Sequence, residues 1–377
     1  MALFTDDDLS PSKRRGIRGA TVGAWLLVVV VVGIFALTLI PTPYVYQQPG
    51  PVFDTLGNVS YDGESVALID IPDERTYPTD GSLSLLTVGT VGSRTNPLSW
   101  WEIVVAWLDP SKAVIPIDRV YPVGFSVDDA NEANRILMEN SQQEAVAAAL
   151  FELGYEFGFA LTIDSLIDDS PSAGILEPGD QVLSANGVDV AGVNELRDAI
   201  ADHGSGSPMR LVILRDGEER TVEVTPEDRE LEDADGTLTK RAAIGVYLRV
   251  DYDLPVEVNI QLENVGGPSG GQMFALGIID KLTPGSLTGG ADVAGTGTIT
   301  GSGDVGAIGG IRQKMYGALN SGAEWFLAPI ENCDEVVGHV PDGLTVVAVD
   351  TLRDALDALE AIKNGADAAA LPACTAR

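Results

Sequence analysis

Histidine is nearly absent from this chain: its 377 residues hold two, His203 and His339. That weighs against an HExxH zinc site and, less heavily, against a Ser-His-Asp triad. Cysteine is as scarce. Cys333 and Cys374 are the pair, neither in a CxxC motif, so cysteine offers no metal site. A bridge between them is open, although Cys374 sits in an Ala-rich tail, 364–377, that reads as loose. Positive charge is short: 23 Lys and Arg against 56 Asp and Glu give a net −33. A chain this acidic repels nucleic acid, and none is expected as a partner. No GxxxxGK[ST] phosphate loop occurs, so the glycine run from Gly295 to Gly310 reads as turns and not as a nucleotide cradle. No metal or other cofactor is implied.

What is present begins with a long apolar run. Ala20 to Ile40, "ATVGAWLLVVVVVGIFALTLI", carries no charge and is about the length that crosses a bilayer as a helix. Lys13, Arg14, Arg15 and Arg18 precede it. The positive-inside rule then keeps 1–19 in the cytoplasm and places everything after the 20–40 helix outside. No small-residue cleavage site follows, so the run reads as an uncleaved single-pass anchor in the cell membrane rather than a signal peptide.

Between 41 and 125, short apolar runs broken by Gly, Pro and Asp ("SVALIDI", "SLSLLTV", "AVIPIDRV") predict a small β-rich membrane-proximal region. Inside it, "LSWWEIVVAWLDP" has helical spacing. It reads either as a core helix or as a helix resting on a membrane interface, where tryptophan is favoured. A helical stretch from Ser126 follows, with Ser141 placed to cap a second helix in a box with Glu144, and Gly154 to stop it.

The stretch "SPSAGILEPGDQVLSANG", an Asn186-Gly187 hairpin turn, the short helix "VNELRDAIADH" and the strands around Gly217 resemble a PDZ domain. With its preceding helices it is assigned 126–226. The resemblance implies capture of an extended peptide as an added strand at a sheet edge. The carboxylate-binding loop is sought at "GYEFGF", which makes Phe157, Gly158 and Phe159 the candidate peptide contacts. A charged linker, 227–240, separates this domain from the last, 241–363.

There, a strand, "VEVNIQL", leads through "NVGGPS" into "GGQMFALGIIDKL", which is helical. Ser269 stands at that helix's N-terminus. Two readings are open: a plain N-cap, or a nucleophile beside backbone amides that attract developing negative charge. Glycines on both sides allow close approach of a substrate backbone. With histidine scarce, a buried lysine of lowered pKa is the candidate base, and Lys314 begins a second helix after Gly309-Gly310.

"GGPSGG" and "GTGTITGSGDVGAIGGIRQK" resemble the proteolytic domain of Lon-type peptidases. The resemblance implies Ser269 as nucleophile and Lys314 as general base. It implies supporting or oxyanion roles for Thr296, Gly267 and Gly270, the last standing where that family usually has alanine. Anchor, PDZ and Lon-type domain together resemble the membrane-anchored PDZ-Lon (YlbL-like) proteins of bacteria.

The expected fold is thus α+β and multidomain: N-terminal transmembrane helix, small β-rich region, PDZ domain and a C-terminal α/β Lon-type proteolytic domain. The expected function is a membrane-anchored serine endopeptidase that cleaves extended or unfolded proteins outside the cytoplasm, with no ATPase of its own in these residues. Its partners are protein or peptide substrates and the membrane; assembly into a homo-oligomer is left open. The alternative is a catalytically inactive PDZ-containing binding protein.

Overall fold

Four parallel strands built largely from Val, Leu and Ala organise the larger part of the molecule. In a computed structural model, which describes all residues except 1–15, 62, 122–126, 168, 191, 233–237, 263–264 and 376–377, the sheet order is Thr345–Val349, Trp325–Pro329, Asp292–Gly295, Ser82–Val91 and Tyr44–Asp54. Val293 is in parallel register with Leu83 on one side and Trp325 on the other. A parallel sheet is stable only when both faces are covered, and this one is. Leu83, Leu85, Leu327 and Val347 face a core shared with the helix Gly271–Leu282 and the helix Leu352–Lys363. Leu86, Ala294, Phe326 and Ala328 face a second core beneath the helix Ile311–Asn320. The period-2 alternation along each strand sorts neighbouring residues to opposite faces.

The chain divides into two units, 1–48 with 90–127, and 49–89 with 128–377. In the first, Tyr44–Gln47 pairs antiparallel with Ala113–Pro116. The helix Trp100–Trp107 starts at a capping box in which Ser99 and Glu102 satisfy each other's backbone amides. It buries Ile103 and Ala106 but exposes Trp101, Val104, Val105, Trp107 and Leu108, so it is not a core helix. Gly16–Leu39 is helical, with its apolar side chains from Val22 to Val32 exposed. Among the described residues no helix is long and apolar enough to cross a membrane. The expected cytoplasmic segment with Lys13, Arg14 and Arg15 lies outside the described residues, as does the side chain of Arg18.

In the second unit a separate five-stranded path runs Glu218–Val224, Met209–Arg215, Gln181–Ala185, Phe159–Leu166 and Val246–Tyr252, around its own core of Leu161, Ile163, Leu196, Leu211 and Ile213. The turns expected at Asn186-Gly187 and Gly217 form, with left-handed backbone at Asn186, Gly187, Asp216 and Gly217. Asp180 is 1% exposed and holds Arg215 through two contacts of 2.6 Å.

Domain boundaries differ from expectation in four places. The strands at 44–54 and 82–91 belong to the sheet of the C-terminal domain, so 41–125 is no independent β-rich region. The helix expected in two pieces is one, Val127–Glu152; Ser141 caps nothing and donates instead to the Pro268 carbonyl at 2.8 Å. That helix packs through Met138, Ala145, Ala149 and Leu150 into the core of the C-terminal domain, not the PDZ core. The PDZ-like sheet closes with Val246–Tyr252, beyond the expected end at 226. The charged "linker" is in its described part a hairpin, Glu227–Glu232 with Leu238–Ala243. The PDZ-like sheet is therefore an insertion: the chain leaves the C-terminal domain near 157 and returns near 253.

The tail is not loose. Cys374 is bonded to Cys333, with Cα atoms 5.0 Å apart, and the Ala348 amide donates to the Pro372 carbonyl at 2.8 Å. Backbone pairing and a covalent link over-rule a composition that looks disordered.

Candidate active site

The strand Asp292–Gly295 ends at Thr296 and Gly297, at the carboxyl edge of the parallel sheet, where open α/β sheets place their ligands. The two helices that cover opposite faces of the sheet both begin here. One is preceded by Ser269, the other carries Lys314 in its first turn. Gly297 donates to the Ser269 carbonyl at 3.0 Å and accepts from the Gln272 amide at 3.2 Å, so the serine turn is stitched to the end of the strand.

Lys314 Nζ lies 2.6 Å from Ser269 Oγ and 2.8 Å from Thr296 Oγ1. Thr296 is fully buried, and its own hydroxyl donates to the Ser269 carbonyl at 2.9 Å. Lys314 is 2% exposed. Burial pulls its amine down from the ordinary lysine range to a pKa of about 7. An ammonium removed from water without a carboxylate partner is disfavoured, so the neutral amine becomes accessible near neutral pH. The arrangement is a half-buried hydroxyl touching a lysine that is able to accept its proton.

The two glycines expected to support an oxyanion separate. The Gly267 amide donates to the Asn134 carbonyl at 2.8 Å and so is already engaged; its role is a left-handed turn at φ +87°. Gly270 is the helix N-cap, buried at φ −97°. A Cβ there would meet Leu85 Cδ1 at 2.8 Å, which accounts for glycine at this position.

The long helix Val127–Glu152 braces the site from outside, and the sequence reading missed it. Asn134 holds Gly267, Ser141 holds Pro268, and Glu144 accepts from Tyr252 Oη at 2.7 Å and from the Gly301 amide. Burial raises the Glu144 carboxyl above its usual range against the opposing effect of those two bonds. The capping-box spacing at Ser141 and Glu144 gave a local explanation for both residues, which hid their long-range partners.

The candidate peptide contacts Phe157, Gly158 and Phe159 are not at a free edge. Phe157 packs against the core of the C-terminal domain and stands edge-on to Tyr252, ring centroids 6.2 Å apart. The Gly158 carbonyl accepts from Asp253, and Phe159 opens a strand paired along its length with Val246–Tyr252. Val246–Tyr252 is itself one edge strand of this sheet, and Glu218–Val224 is the other. The turn "AIG", residues 243–245, leads into Val246–Tyr252. Ser170 and Ser172 brace that turn by donating to the Gly245 and Ile244 carbonyls at 2.7 and 2.6 Å. Among the described residues, no group of three or more His, Cys, Asp and Glu is placed to hold a metal ion.

Comparison with known proteins finds both domains, with PDZ bounds that follow the expected 126–226 rather than the extent of the sheet. Residues 124–225 match the PDZ domain family, and residues 261–361 match the Lon protease (S16) C-terminal proteolytic domain. The chain is 27% identical over 159 residues to a DegP-like periplasmic serine endoprotease of Pseudomonas savastanoi, covering 41% of this chain and 33% of that protein. It is 35% identical over 88 residues to a protein of Mesorhizobium japonicum described as a zinc metalloprotease, covering 23% of this chain and 24% of that one. It thus spans a third or less of either relative. Among solved structures, the PDZ domain of an SdrC-like protein from Listeria monocytogenes matches at 20% identity, covering 23% of this chain and 85% of the other, with a TM-score of 0.20. The chain carries a PDZ domain together with a serine-type Lon proteolytic domain, the pairing found in PDZ-Lon proteins.

Proposed function

We propose that this protein is a membrane-anchored serine endopeptidase that cleaves extended or unfolded protein segments outside the cytoplasm through a Ser269–Lys314 dyad. One observation carries the reading: a lysine 2% exposed, with its pKa drawn down to about 7, lies 2.6 Å from a serine hydroxyl at a helix start.

The neutral Lys314 amine takes the Ser269 proton as Oγ attacks the substrate carbonyl carbon. Of the amides around the serine, those of Gly267, Gly271 and Gln272 are engaged with carbonyls. The amides of Ser269 and Gly270 are therefore the ones assigned to the oxyanion, at the positive end of the helix. The Lys314 ammonium then gives its proton to the departing amine, leaving an ester on Ser269. Water, deprotonated by the same amine, resolves that ester and returns the serine. Thr296 keeps the amine aimed at Oγ throughout.

The PDZ domain would capture substrate as a strand added to Val246–Tyr252. With no phosphate loop in these residues, nothing here pulls folded proteins apart, so the substrates are segments already extended. The apolar run from Ala20 to Ile40 supports an anchor, and a disulfide supports an oxidising compartment on the far side of the membrane.

The test compares parent, Ser269→Ala and Lys314→Ala on an unfolded fluorescent protein substrate, with the full chain in detergent or lipid. Cleavage by the parent alone is expected. Parent-like cleavage by Ser269→Ala would overturn the assignment.

A further inference from the structure

Lys314 is oriented by the loop that opens its helix. Its amide donates to the Gly310 carbonyl at 3.1 Å, and Gly310 sits in left-handed backbone at φ +72°, wedged where a Cβ would meet Val88 at 2.9 Å. One residue earlier than the glycine pair, Ile308 is 5% exposed and packs in the same core as Ile311 and Met315. What fixes Ile308 is a side chain from elsewhere in the sequence. Asn332, 4% exposed, accepts from the Ile308 amide at 2.9 Å and donates to the Ile308 carbonyl at 2.9 Å. Two reciprocal bonds to one residue fix both its position and its orientation. The neighbouring Glu331 accepts from the Ala307 amide at 2.9 Å. The residue after Asn332 is Cys333, whose bond to Cys374 ties this turn to the C-terminal segment, and Cys374 packs against the lysine-helix core.

We propose that Asn332, held in place by the Cys333–Cys374 bridge, is a positioning residue for Lys314. The inference rests on the reading of Lys314 as general base. It extends the site by one clamp: bridge to Asn332, Asn332 to Ile308, Ile308 through Gly310 to the lysine. Without the clamp the helix start loosens and the amine is no longer held against Ser269 Oγ. A displacement of about 1 Å at a reacting group costs on the order of a hundredfold in rate. A loosened lysine also regains water, and its pKa climbs back toward the ordinary range. The groups in contact with its amine are the uncharged hydroxyls of Ser269 and Thr296. Burial lowers its pKa; the charged groups on the elements around it are Arg312 on its own helix and the exposed Glu331, Asp334 and Glu335 of the facing turn.

The experiment measures pH profiles of kcat/KM, with kcat and KM separately, for the full chain. The proteins are the parent, Asn332→Leu and Cys374→Ser, each with and without dithiothreitol; thermal unfolding reports folding. The parent's ascending limb is expected near 7. Asn332→Leu should lower kcat about tenfold or more with KM nearly unchanged and shift the limb upward by about one pH unit or more. Dithiothreitol should lower kcat of the parent in the same direction and leave Cys374→Ser, already lowered, unaffected. Parent-like kcat and limb in a folded Asn332→Leu would overturn the proposal. If Asn332→Leu does not fold, the reduced parent decides: an unchanged kcat and limb after verified reduction overturns it equally. Full activity of Ser269→Ala in the same assay would instead mean that the dyad reading has failed.

Discussion

Lys314 and Ser269 stand 45 residues apart in sequence and 2.6 Å apart in space, brought together because the helices on opposite faces of one sheet both start at its carboxyl edge. The distance and the burial act together. A surface lysine at the same distance would be protonated at neutral pH and unable to accept a proton.

From this follows the pH dependence of activity. As the proposed base, Lys314 must be neutral, and its pKa is about 7 because burial disfavours the ammonium. The value of kcat/KM should therefore rise through about 7 and level off above it, without needing pH near 10. A profile with its ascending limb at the ordinary lysine pKa, measured on an unfolded substrate, would contradict the buried-base account.

Replacing Lys314 should cost activity and add stability. A lysine whose folded pKa is lowered costs stability wherever the unfolded chain is protonated. The cost is full below the folded value, near 7, and fades as pH rises toward the unfolded value. Lys314→Met keeps the volume and removes the charge, at the expense of leaving the Thr296 and Ser269 hydroxyls with one partner fewer. The net should be an inactive protein that is more stable by roughly 1–3 kcal/mol at pH 6, with the advantage shrinking by pH 9. Chemical denaturation at the two pH values reads this out. A variant less stable than the parent at pH 6 would mean that the two hydroxyl contacts outweigh the desolvation.

That Ser269, Thr296 and Lys314 come together was legible in the sequence because each lies in a local motif. "GGPSGG" and "GAIGGIRQK" each encode a glycine turn followed by a helix start, and a helix start displays its first side chain at a predictable place. What was not legible is long-range. Nothing in "NRILMENSQQEA" announces that Ser141 reaches Pro268 or that Glu144 reaches Tyr252, since both residues have a satisfactory local reading as a capping box. The inserted PDZ domain misled for a related reason. Sequence order suggests that domains follow one another, whereas the strand at 82–91 pairs with 292–295 and the strand at 44–54 lies next to it in the same sheet. The exposed edge at Val246–Tyr252 was not anticipated because it lies beyond the expected end of the domain at 226. The tail was misread because composition reports average flexibility and cannot see one disulfide.

Thr296 is predicted to act through the lysine. Its hydroxyl accepts from Lys314 and donates to the Ser269 carbonyl, so it fixes both partners of the proposed dyad. Thr296→Val is nearly the same shape without the hydroxyl. It should lower kcat about tenfold to a hundredfold and leave KM within about a factor of two, since no substrate contact is lost. Thr296→Ser, which retains the oxygen, should recover most of the rate. Equal loss in the two variants would assign the effect to packing instead.

The last prediction concerns where substrate is captured. Phe159–Leu166 has Val246–Tyr252 on one side and Gln181–Ala185 on the other, so its backbone has no open edge. Val246–Tyr252 is an edge strand, with alternate side chains exposed, Tyr247 by 61%. An added peptide strand would take the unpaired amides of that edge out of exchange with solvent. Hydrogen exchange of the full chain carrying Ser269→Ala, with and without an unfolded substrate in excess, should show new protection concentrated in 243–252 and little change in 157–166. The exchange rates at the protected positions should fall by about tenfold or more at saturating substrate. The Tyr252 hydroxyl is already bonded to Glu144, which also accepts from the Gly301 amide. Protection should therefore extend weakly to the 300–304 loop. New protection at 157–166 in place of 243–252 would return the peptide site to "GYEFGF" and require the strand pairing seen here to open on binding.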